Sequence, residues 1–412
     1  MNDTYAQLPP VEFMGHFAEF APLTAETIPL VQARGRVLAE PLVSGETLPP
    51  FSRSLMDGYA VRAADTRGAS ASNPVRLAVI GEIVTGSSGQ ALTLAPGQAV
   101  RISTGGELPQ EADAVVMIEQ TNSPDRQTVA VCRPVAPAEN VTGAGEDCRP
   151  GTVVLEANRR LRPQDLGLLA SLGIGSVPVH RQPRVAILST GDELVPPEQT
   201  PPPGKVRNVN STTLTALVEE AGGLPLPGGI CPDDFDRLLA RCTEALARAD
   251  VLLLTGGSSM GKRDFTGRVF AAIPGAEVLV HGVSVRPGKP TILARQGNKA
   301  LFGLPGHAAS ALIGFICFVR PLLRHYTGLG ATLGLPAVRA ILGQSLSSAI
   351  GREDYVRVRL EPQANGMLPL VLPVPGKPGL LSPLVRADGL LPIGRDIAGL
   401  DQGTEATVLL FP

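Results

Sequence analysis

The sequence has few cysteines and little net charge, which excludes several classes of protein. Its five cysteines are odd in number and contain no C-x-x-C pair, so neither a disulfide framework nor a zinc knuckle is predicted. The formal net charge is −2, from 36 basic and 38 acidic residues, which argues against binding nucleic acid by neutralising its phosphates. Hydrophobic residues make up 43% and charged residues only 18%, so the chain is not a disordered one.

Long hydrophobic runs are also missing. The longest, Ala311 to Val319, stops at Arg320, well short of the ~20 residues that a membrane span requires. The first residues, MNDTYAQLPPVEF, carry neither the basic nor the apolar segment of a secretory signal. We therefore expect a soluble cytoplasmic protein with reduced thiols and no membrane or nucleic-acid partner.

Two common catalytic patterns are absent from the sequence. The five histidines show no H-E-x-x-H or comparable metal spacing, and no G-x-S-x-G elbow occurs. A zinc protease and a Ser-His-Asp hydrolase therefore have little support.

The chain has 412 residues, a length that predicts about two to four domains. The pattern of predicted strands and helices changes twice along this length. Short strands broken by Gly and Pro fill the first ~180 residues, with one helix from Pro163 to Leu172. From Arg184 strands alternate with helices, and after Gly328 strands return. We predict a multidomain α/β plus β protein: a central doubly wound α/β domain, β-rich N-terminal domains and a small C-terminal β-barrel.

The central region contains the clearest helix and strand patterns. One helix is predicted to open near Ser211, a second to use Asp233 as its candidate N-cap, and a third to run from about Ala308 to Tyr326. The unbroken apolar run Val251 to Leu254 predicts a strand buried on both faces, as in parallel sheets.

Ligands of open α/β sheets bind where the strands end, so the loops after the strands are the candidate site. We expect these loops to bring Glu193, Asp233 and Asp264 together, and carboxylates beside Gly-rich amides suggest Mg²⁺ with a phosphate. Taken singly, Asp192 or Asp233 could cap a helix and each Gly-rich loop could be a tight turn. The prediction depends on the coincidence of four such loops: Ser189–Glu193, Cys231–Asp234, Thr255–Gly261 and Leu304–His307.

The third loop admits a different interpretation. Gly256 to Lys262 reads G-x-x-x-x-G-K after a buried strand, as in a Walker A motif, but Arg263 replaces the Ser or Thr that would hold Mg²⁺. A P-loop NTPase is therefore an alternative function, and a phosphate-binding turn is predicted in either case.

Smaller motifs lie outside these loops. Arg286 and Lys289 flank a Pro-Gly turn that could clamp an anion or could simply be an exposed loop. Three further segments, each open to the interpretation of an ordinary turn, combine acids or hydroxyls with glycine: Met56–Ala60, Arg101–Gly106 and Gly145–Asp147.

Together these motifs resemble those of the molybdopterin molybdenumtransferase (MoeA) family, which includes the C-terminal domain of gephyrin. The resemblance extends from about residue 31 to 408 and is most specific in the combination of its motifs. In chain order they are MDGYAVR, RISTGGELPQEADAVVMIEQ, GEDCRPG, LGLLASLGI, VAILSTGDEL, TGGSSMGKRD, RPGKP, LPG and GREDYVRV.

The resemblance implies a reaction and an assembly. It implies that adenylylated molybdopterin is bound, that the adenylate is hydrolysed with Mg²⁺ to release AMP, and that molybdate enters the dithiolene to give molybdenum cofactor. It also implies a homodimer and contacts with other enzymes of the cofactor pathway. The expected division of the chain is 1–23, a segment packing on the α/β domain; 24–44 with 141–178, a linker domain; 45–140, a β-rich domain carrying MDGYA; 179–327, the α/β molybdopterin-binding domain; and 328–412, the β-barrel.

The resemblance further implies roles for individual residues. Asp57, Thr104, Asp147 and Glu193 match catalytic positions, and Asp233 and Asp264 match metal positions. The positions expected to bind the pterin and nucleotide are Thr190, Gly256, Gly257, Ser259, Arg286, Lys289, Pro305, Arg352 and Ser382.

The sequence departs from the family pattern near the expected molybdate position. His307, Ala308 and Ala309 stand where the family usually has Asn, Pro and Val, which removes a rigid proline. A tungstate-preferring enzyme and a scaffold paralogue without turnover are therefore kept as alternatives. Clustered acids that repel one another without a cation favour the enzyme.

Overall fold

The computed structural model describes residues 7–256, 265–364, 366–377 and 379–411. Three six-stranded sheets organise the chain, one in each third. Its α-helices are Pro10–Gly15, Pro163–Ser171, Val209–Glu220, Phe235–Arg248, Phe265–Ala272, Ala308–Gly314, Arg320–Tyr326 and Ser382–Val385. Short 3₁₀ turns occur at His16–Glu19, Leu30–Gln32, Ala63–Thr66 and Ile118–Gln120.

The N-terminal sheet is built from short strands of the kind that the sequence predicts for this part of the chain. In spatial order its strands are Ala114–Met117, Gly58–Val61, Gln98–Ile102, Val75–Ile83, Thr128–Val131 and Thr121–Asn122. Short antiparallel pairs lie outside this sheet in the same half of the chain: Ala25–Pro29 with Ser176–His180, Arg53–Ser54 with Val141–Thr142, and Leu42–Val43 with Val153–Leu155.

The central sheet is parallel through four strands and antiparallel at one edge. In spatial order the strands are Leu224–Cys231, Arg184–Thr190, Val251–Thr255, Lys299–Leu304, Ile292–Gln296 and Ala276–His281. Every residue of Val251–Thr255 is buried, as predicted for a strand between two parallel neighbours. The antiparallel edge differs from a fully parallel doubly wound sheet because a two-residue turn with Gly297 at φ +59° reverses the chain.

One helix begins near its predicted start and another has a different cap from the predicted one. The helix predicted to open near Ser211 is Val209–Glu220, capped by Asn208, whose side chain accepts from the backbone N–H of Ser211. Asp234, not Asp233, caps Phe235–Arg248 by accepting from the N–H of Arg237 at 2.9 Å. Adjacent acids fit the N-cap equally well by residue type, so only the path of the loop selects between them.

A long apolar helix forms the centre of the largest core cluster. It runs from Ala308 to Tyr326 with a π-helical segment at Phe315–Val319. Its length and composition would allow it to cross a membrane, but most of it is buried inside the protein. Phe13 of the N-terminal segment packs on it, with its ring centroid 4.4 Å from that of Phe318.

The C-terminal strands close into a barrel. Its ring is Glu353–Glu361, Leu370–Pro373, Ala337–Leu342, Glu405–Leu410 and Gly389–Ile393, which pairs back with the first strand. Val285–Arg286 from the central region adds a parallel strand to Glu353–Asp354. This attachment places the barrel beside the central sheet. Two short pairs complete the described strands: Leu194–Val195 with Val206–Arg207, and Leu346–Ser347 with Gly399–Leu400.

Candidate active site

A cavity of about 1010 Å³ opens at the carboxyl ends of the parallel strands. The loops after four strands contribute to its lining: Thr190 and Glu193, then Asp233, then Gly256, then Pro305 to His307. The lining also includes two cationic side chains, Lys205 and Arg207. The structure therefore brings Glu193 and Asp233 to one rim, beside three of the predicted binding residues.

Asp233 is held by the neighbouring strand. The Thr190 hydroxyl donates to its Oδ1 at 2.7 Å, and its backbone N–H donates to Asp192 Oδ1 at 3.2 Å. Because Asp234 provides the helix cap, the Asp233 carboxylate is available to the cavity. This arrangement fixes a negative charge at the rim.

Gly256 allows two strand ends to approach each other closely. Its φ is +97°, and a Cβ built there would lie 2.1 Å from the carbonyl oxygen of Thr190. Any side chain at this position would displace the backbone that carries Thr190. The glycine is therefore a requirement of the site's geometry.

A buried polar network beneath the cavity was not predicted. Thr255 donates to Ser189, and Ser189 donates to Asn208 Oδ1, each at 3.1 Å. Asn210 Nδ2 donates to the carbonyl oxygen of Gly306 at 2.8 Å. The available signal was Asn208 directly before a helix, since Asn is a preferred N-cap. The network fastens the loop after the last parallel strand to the helix Val209–Glu220.

Three of the predicted site residues, Gly257, Ser259 and Asp264, lie outside the described residues, as do Lys262 and Arg263 of the Walker-like segment. Within the described ranges, no group of three or more His, Cys, Asp or Glu side chains is arranged to hold a metal ion. Of the acidic residues predicted for the site, Glu193 and Asp233 are the two that line this cavity in the described part of the chain.

The C-terminal region covers one side of the cavity. Gly379 and Leu381 belong to its lining, and a Cβ built at Gly379 would lie 3.5 Å from Cδ2 of His307. Ser382, the next residue, is exposed and begins the short helix Ser382–Val385. His307, which the sequence marks only as a departure from the family pattern, therefore lies beside the C-terminal segment that lines the cavity.

The predicted basic turn lies where the barrel joins the central sheet. Arg352 Nε donates to Asp354 Oδ1 at 2.9 Å, while Arg286 Nη1 stands 3.9 Å from Asp354 Oδ2. Pro290, next to Lys289, lines the cavity. The buried carboxylate of Asp354 therefore holds Arg286 and Arg352 close together where the barrel joins the central sheet.

The remaining predicted catalytic residues lie in the N-terminal region. Asp57 Oδ1 accepts from the backbone N–H of Thr104 at 2.7 Å and from its hydroxyl at 3.0 Å. These bonds lower the pKa of the Asp57 carboxyl, helped by the charge of Arg101. The segment carrying Asp147 is adjacent, since Val141 and Thr142 pair with Arg53 and Ser54. These residues do not belong to the described lining of this chain's own cavity.

The fold and the cavity define a multidomain α/β ligand-binding protein, and comparison with known proteins identifies its family. Three family descriptions match along the chain: "MoeA N-terminal region (domain I and II)" at 9–173, "Probable molybdopterin binding domain" at 186–325 and "MoeA C-terminal region (domain IV)" at 339–411.

Full-length relatives agree with these matches. The chain is 35% identical to the molybdopterin molybdenumtransferase of Bacillus subtilis, over 94% of this chain and 90% of that one. It is 36% identical to molybdopterin molybdenumtransferase 2 of Mycobacterium tuberculosis, over 93% and 94%. The solved molybdopterin biosynthesis moeA protein of Pyrococcus horikoshii superposes with a TM-score of 0.84 at 32% identity, covering 98% of this chain and all of that one.

The chain therefore belongs to the molybdopterin molybdenumtransferase (MoeA) family, as its motifs predicted. Its multidomain architecture, with a mixed α/β centre and a C-terminal barrel, is that of the family. By this full-length homology it is a molybdopterin-binding transferase of molybdenum cofactor biosynthesis.

Proposed function

We propose that the chain inserts molybdate into adenylylated molybdopterin while hydrolysing the adenylate in an Mg²⁺-dependent step that releases AMP. The observation that carries this proposal is the cavity at the strand ends, where Glu193 and Asp233 converge with Thr190 and Gly256. A volume of about 1010 Å³ is large enough for a ligand that joins a pterin to a nucleotide.

The charges along the cavity suit a guest with several phosphates. Lys205 and Arg207 line it, and Arg286, Lys289 and Arg352 lie along the edge where the barrel is attached. We assign Lys289 and Arg286 to the phosphates, because cations stabilise phosphate oxygens. The backbone N–H of Gly256 already donates to the carbonyl oxygen of Leu304 at 3.3 Å, so we assign Gly256 to the site for the close approach that it allows. Arg352 and Ser382 would bind from the barrel side.

The acids present fit a magnesium ion. Mg²⁺ prefers oxygen ligands and is usually held by one or two carboxylates together with substrate phosphates and water. Asp233, positioned by Thr190, would hold the ion from this chain, and Asp264 is proposed as its partner ligand. When bound, Mg²⁺ neutralises charge on the phosphoanhydride.

The chain's own residues would then position water and move a proton. Water breaks the phosphoanhydride between the pterin phosphate and AMP, and we assign Glu193 to accept the proton that it loses. Little covalent help from the protein is needed for such a hydrolysis, so positioning dominates. Molybdate is the second substrate and enters at the dithiolene.

The position of the Asp57 cluster supports a proposal that two copies of the chain form the site together. Asp57 and Thr104 are joined by two hydrogen bonds but are not part of their own chain's cavity lining. We propose a homodimer in which this cluster, with Asp147, faces the cavity of the partner subunit. A bound guest would then be approached by acids and hydroxyls from both protomers.

The test measures AMP release from adenylylated molybdopterin by the purified full chain, with and without molybdate and Mg²⁺. We expect AMP release that requires Mg²⁺ and is stimulated by molybdate, and that falls at least about tenfold in Glu193→Gln. Glu244→Gln is the matched control, since Glu244 is 66% exposed on the helix Phe235–Arg248 and paired only weakly with Arg248.

Other outcomes would favour the alternatives. Steady ATP hydrolysis without the pterin substrate would indicate an NTPase, and no release under any condition would indicate a scaffold. Stronger stimulation by tungstate than by molybdate would identify a tungstate-preferring enzyme.

A further inference from the structure

Two arginines, Arg320 buried and Arg324 half-buried, lie one turn apart near the C-terminal end of the long apolar helix. Arg320 is only 5% exposed; its guanidinium donates to the Glu220 carboxylate and, at 2.7 Å, to the carbonyl oxygen of Leu333. Arg324 follows one turn later and lies against Gly334, where a built Cβ would be 2.4 Å from its Cζ. Gly334 also accepts from Arg320 Nη2 at 3.3 Å, so both guanidinium groups contact the same backbone.

A third arginine at this place, Arg160, belongs to the N-terminal half of the chain. Arg160 Nη2 lies 3.5 Å from a Cβ built at Gly222, two residues beyond Glu220. Arg160 is half-buried and follows the strand Val153–Leu155. Two segments distant in sequence therefore place three cationic groups at one junction, beside the end of the helix that carries Glu220.

The charges at this junction are unbalanced. The pKa of Arg324 is lowered, first by burial and then by the positive charges of Arg160 and Arg320. Glu220 is the carboxylate that opposes this effect in the described part of the chain. Three cations facing one anion repel one another, and the Nε of Arg324 is buried without an acceptor among the described residues. The excess of two positive charges equals the charge of a divalent oxyanion.

We propose that Arg160 and Arg324, backed by Arg320, bind an inorganic dianion of tetrahedral shape, such as sulfate or hydrogen phosphate. Arginine suits this ligand because its planar N–H groups pair with two oxygens at once. The site is separate from the catalytic cavity, since none of the three arginines is among its described lining residues. A bound dianion connects the N-terminal half, the helix Val209–Glu220 and the segment that leads to the barrel.

The test follows the thermal midpoint of the full chain during titration with sodium sulfate up to about 20 mM, against sodium chloride of equal ionic strength. We expect a saturable rise in the midpoint that sodium chloride does not reproduce, and the same response to hydrogen phosphate. Arg160→Gln weakens the apparent sulfate affinity by roughly tenfold or more. Arg160→Glu raises the midpoint without sulfate and removes the response, because the new carboxylate substitutes for the anion.

Two further variants separate this site from other sources of the same signal. Arg126→Gln, an exposed arginine elsewhere, keeps the wild-type response, and Lys289→Gln, which removes a proposed phosphate ligand of the catalytic cavity, keeps the part of the response that depends on Arg160. The proposal is overturned if the Arg160 variants respond to sulfate as the wild type does, if Lys289→Gln removes the response, or if sulfate and chloride act alike.

Discussion

The hydroxyl of Thr190 donates to the carboxylate of Asp233 over 2.7 Å, joining the ends of two neighbouring parallel strands. This bond orients an acid whose neighbour, Asp234, caps a helix. Two adjacent aspartates therefore have different roles that mutation can separate.

We predict that Asp233→Asn lowers the rate of Mg²⁺-dependent AMP release by at least about tenfold, because the rim loses a charge that would hold the ion. Asparagine can still accept from Thr190, so the loop keeps its shape. Asp234→Asn is the matched control and should retain most of the activity, since Asn caps helices as well as Asp does. Equal losses in the two variants would count against the assignment of Asp233.

The second prediction concerns the pKa of Asp57. Two hydrogen bonds from Thr104 lower it below its ordinary value of 3.8. Thr104→Val removes the hydroxyl donor and keeps the backbone donor, so the pKa of Asp57 should rise part of the way back. Carbon-detected NMR titration of the side-chain carboxyl measures both values. An unchanged midpoint in the variant would mean that the backbone bond alone accounts for the shift.

Gly256→Ala tests the close approach of the strand ends. The added Cβ would lie 2.1 Å from the Thr190 carbonyl oxygen, and the alanine would have to adopt a φ of +97°. We expect a loss of more than about 3 kcal/mol in the free energy of unfolding. Gly297→Ala is the control, because its φ of +59° costs roughly 1 to 2 kcal/mol while nothing lies within 4 Å of the new Cβ. Similar denaturation midpoints for the two variants would contradict this account.

Acid stability provides a fourth prediction. Asp165 is 4% exposed and its pKa is lowered, first by Arg162, then by Arg159 and the backbone N–H of Arg162, against the effect of burial. A carboxyl whose pKa is lowered by folding stabilises the protein fully above its unfolded pKa, and this contribution is lost as the pH falls. The arginines are 38% and 54% exposed, so we expect only about 2 kcal/mol from the interaction. Wild type should lose stability below about pH 4 more steeply than Asp165→Asn. Parallel unfolding curves from pH 7 to 3 would refute the prediction.

Much of the fold could be predicted from local patterns in the sequence. The apolar run at Val251–Leu254 predicted a strand buried on both faces. Short strands broken by Gly and Pro predicted β-rich regions before and after the central region. These features depend on burial periodicity, which the sequence displays directly. The antiparallel edge was missed because it depends on one short turn at Gly297 and on which neighbour the strand selects.

The site was predictable in composition but not in its contacts. Strand ends and glycines predicted that Glu193 and Asp233 lie together at one edge of the sheet, and both line the same cavity. The choice between Asp233 and Asp234 as helix cap, the Asn208 network and the approach of Gly379 to His307 depend on tertiary packing. No local pattern specifies the proximity of segments more than seventy residues apart in the chain, such as those of His307 and Gly379.

Binding of Mn²⁺, used as a spectroscopic substitute for Mg²⁺ in the presence of adenylylated molybdopterin, tests the central claim most directly. Electron paramagnetic resonance titration of the wild type should reveal one tight site per chain, retained in Asp234→Asn and weakened at least about tenfold in Asp233→Asn. Equally tight Mn²⁺ binding in Asp233→Asn and in wild type would contradict the claim that this rim holds the ion and its polyanionic ligand.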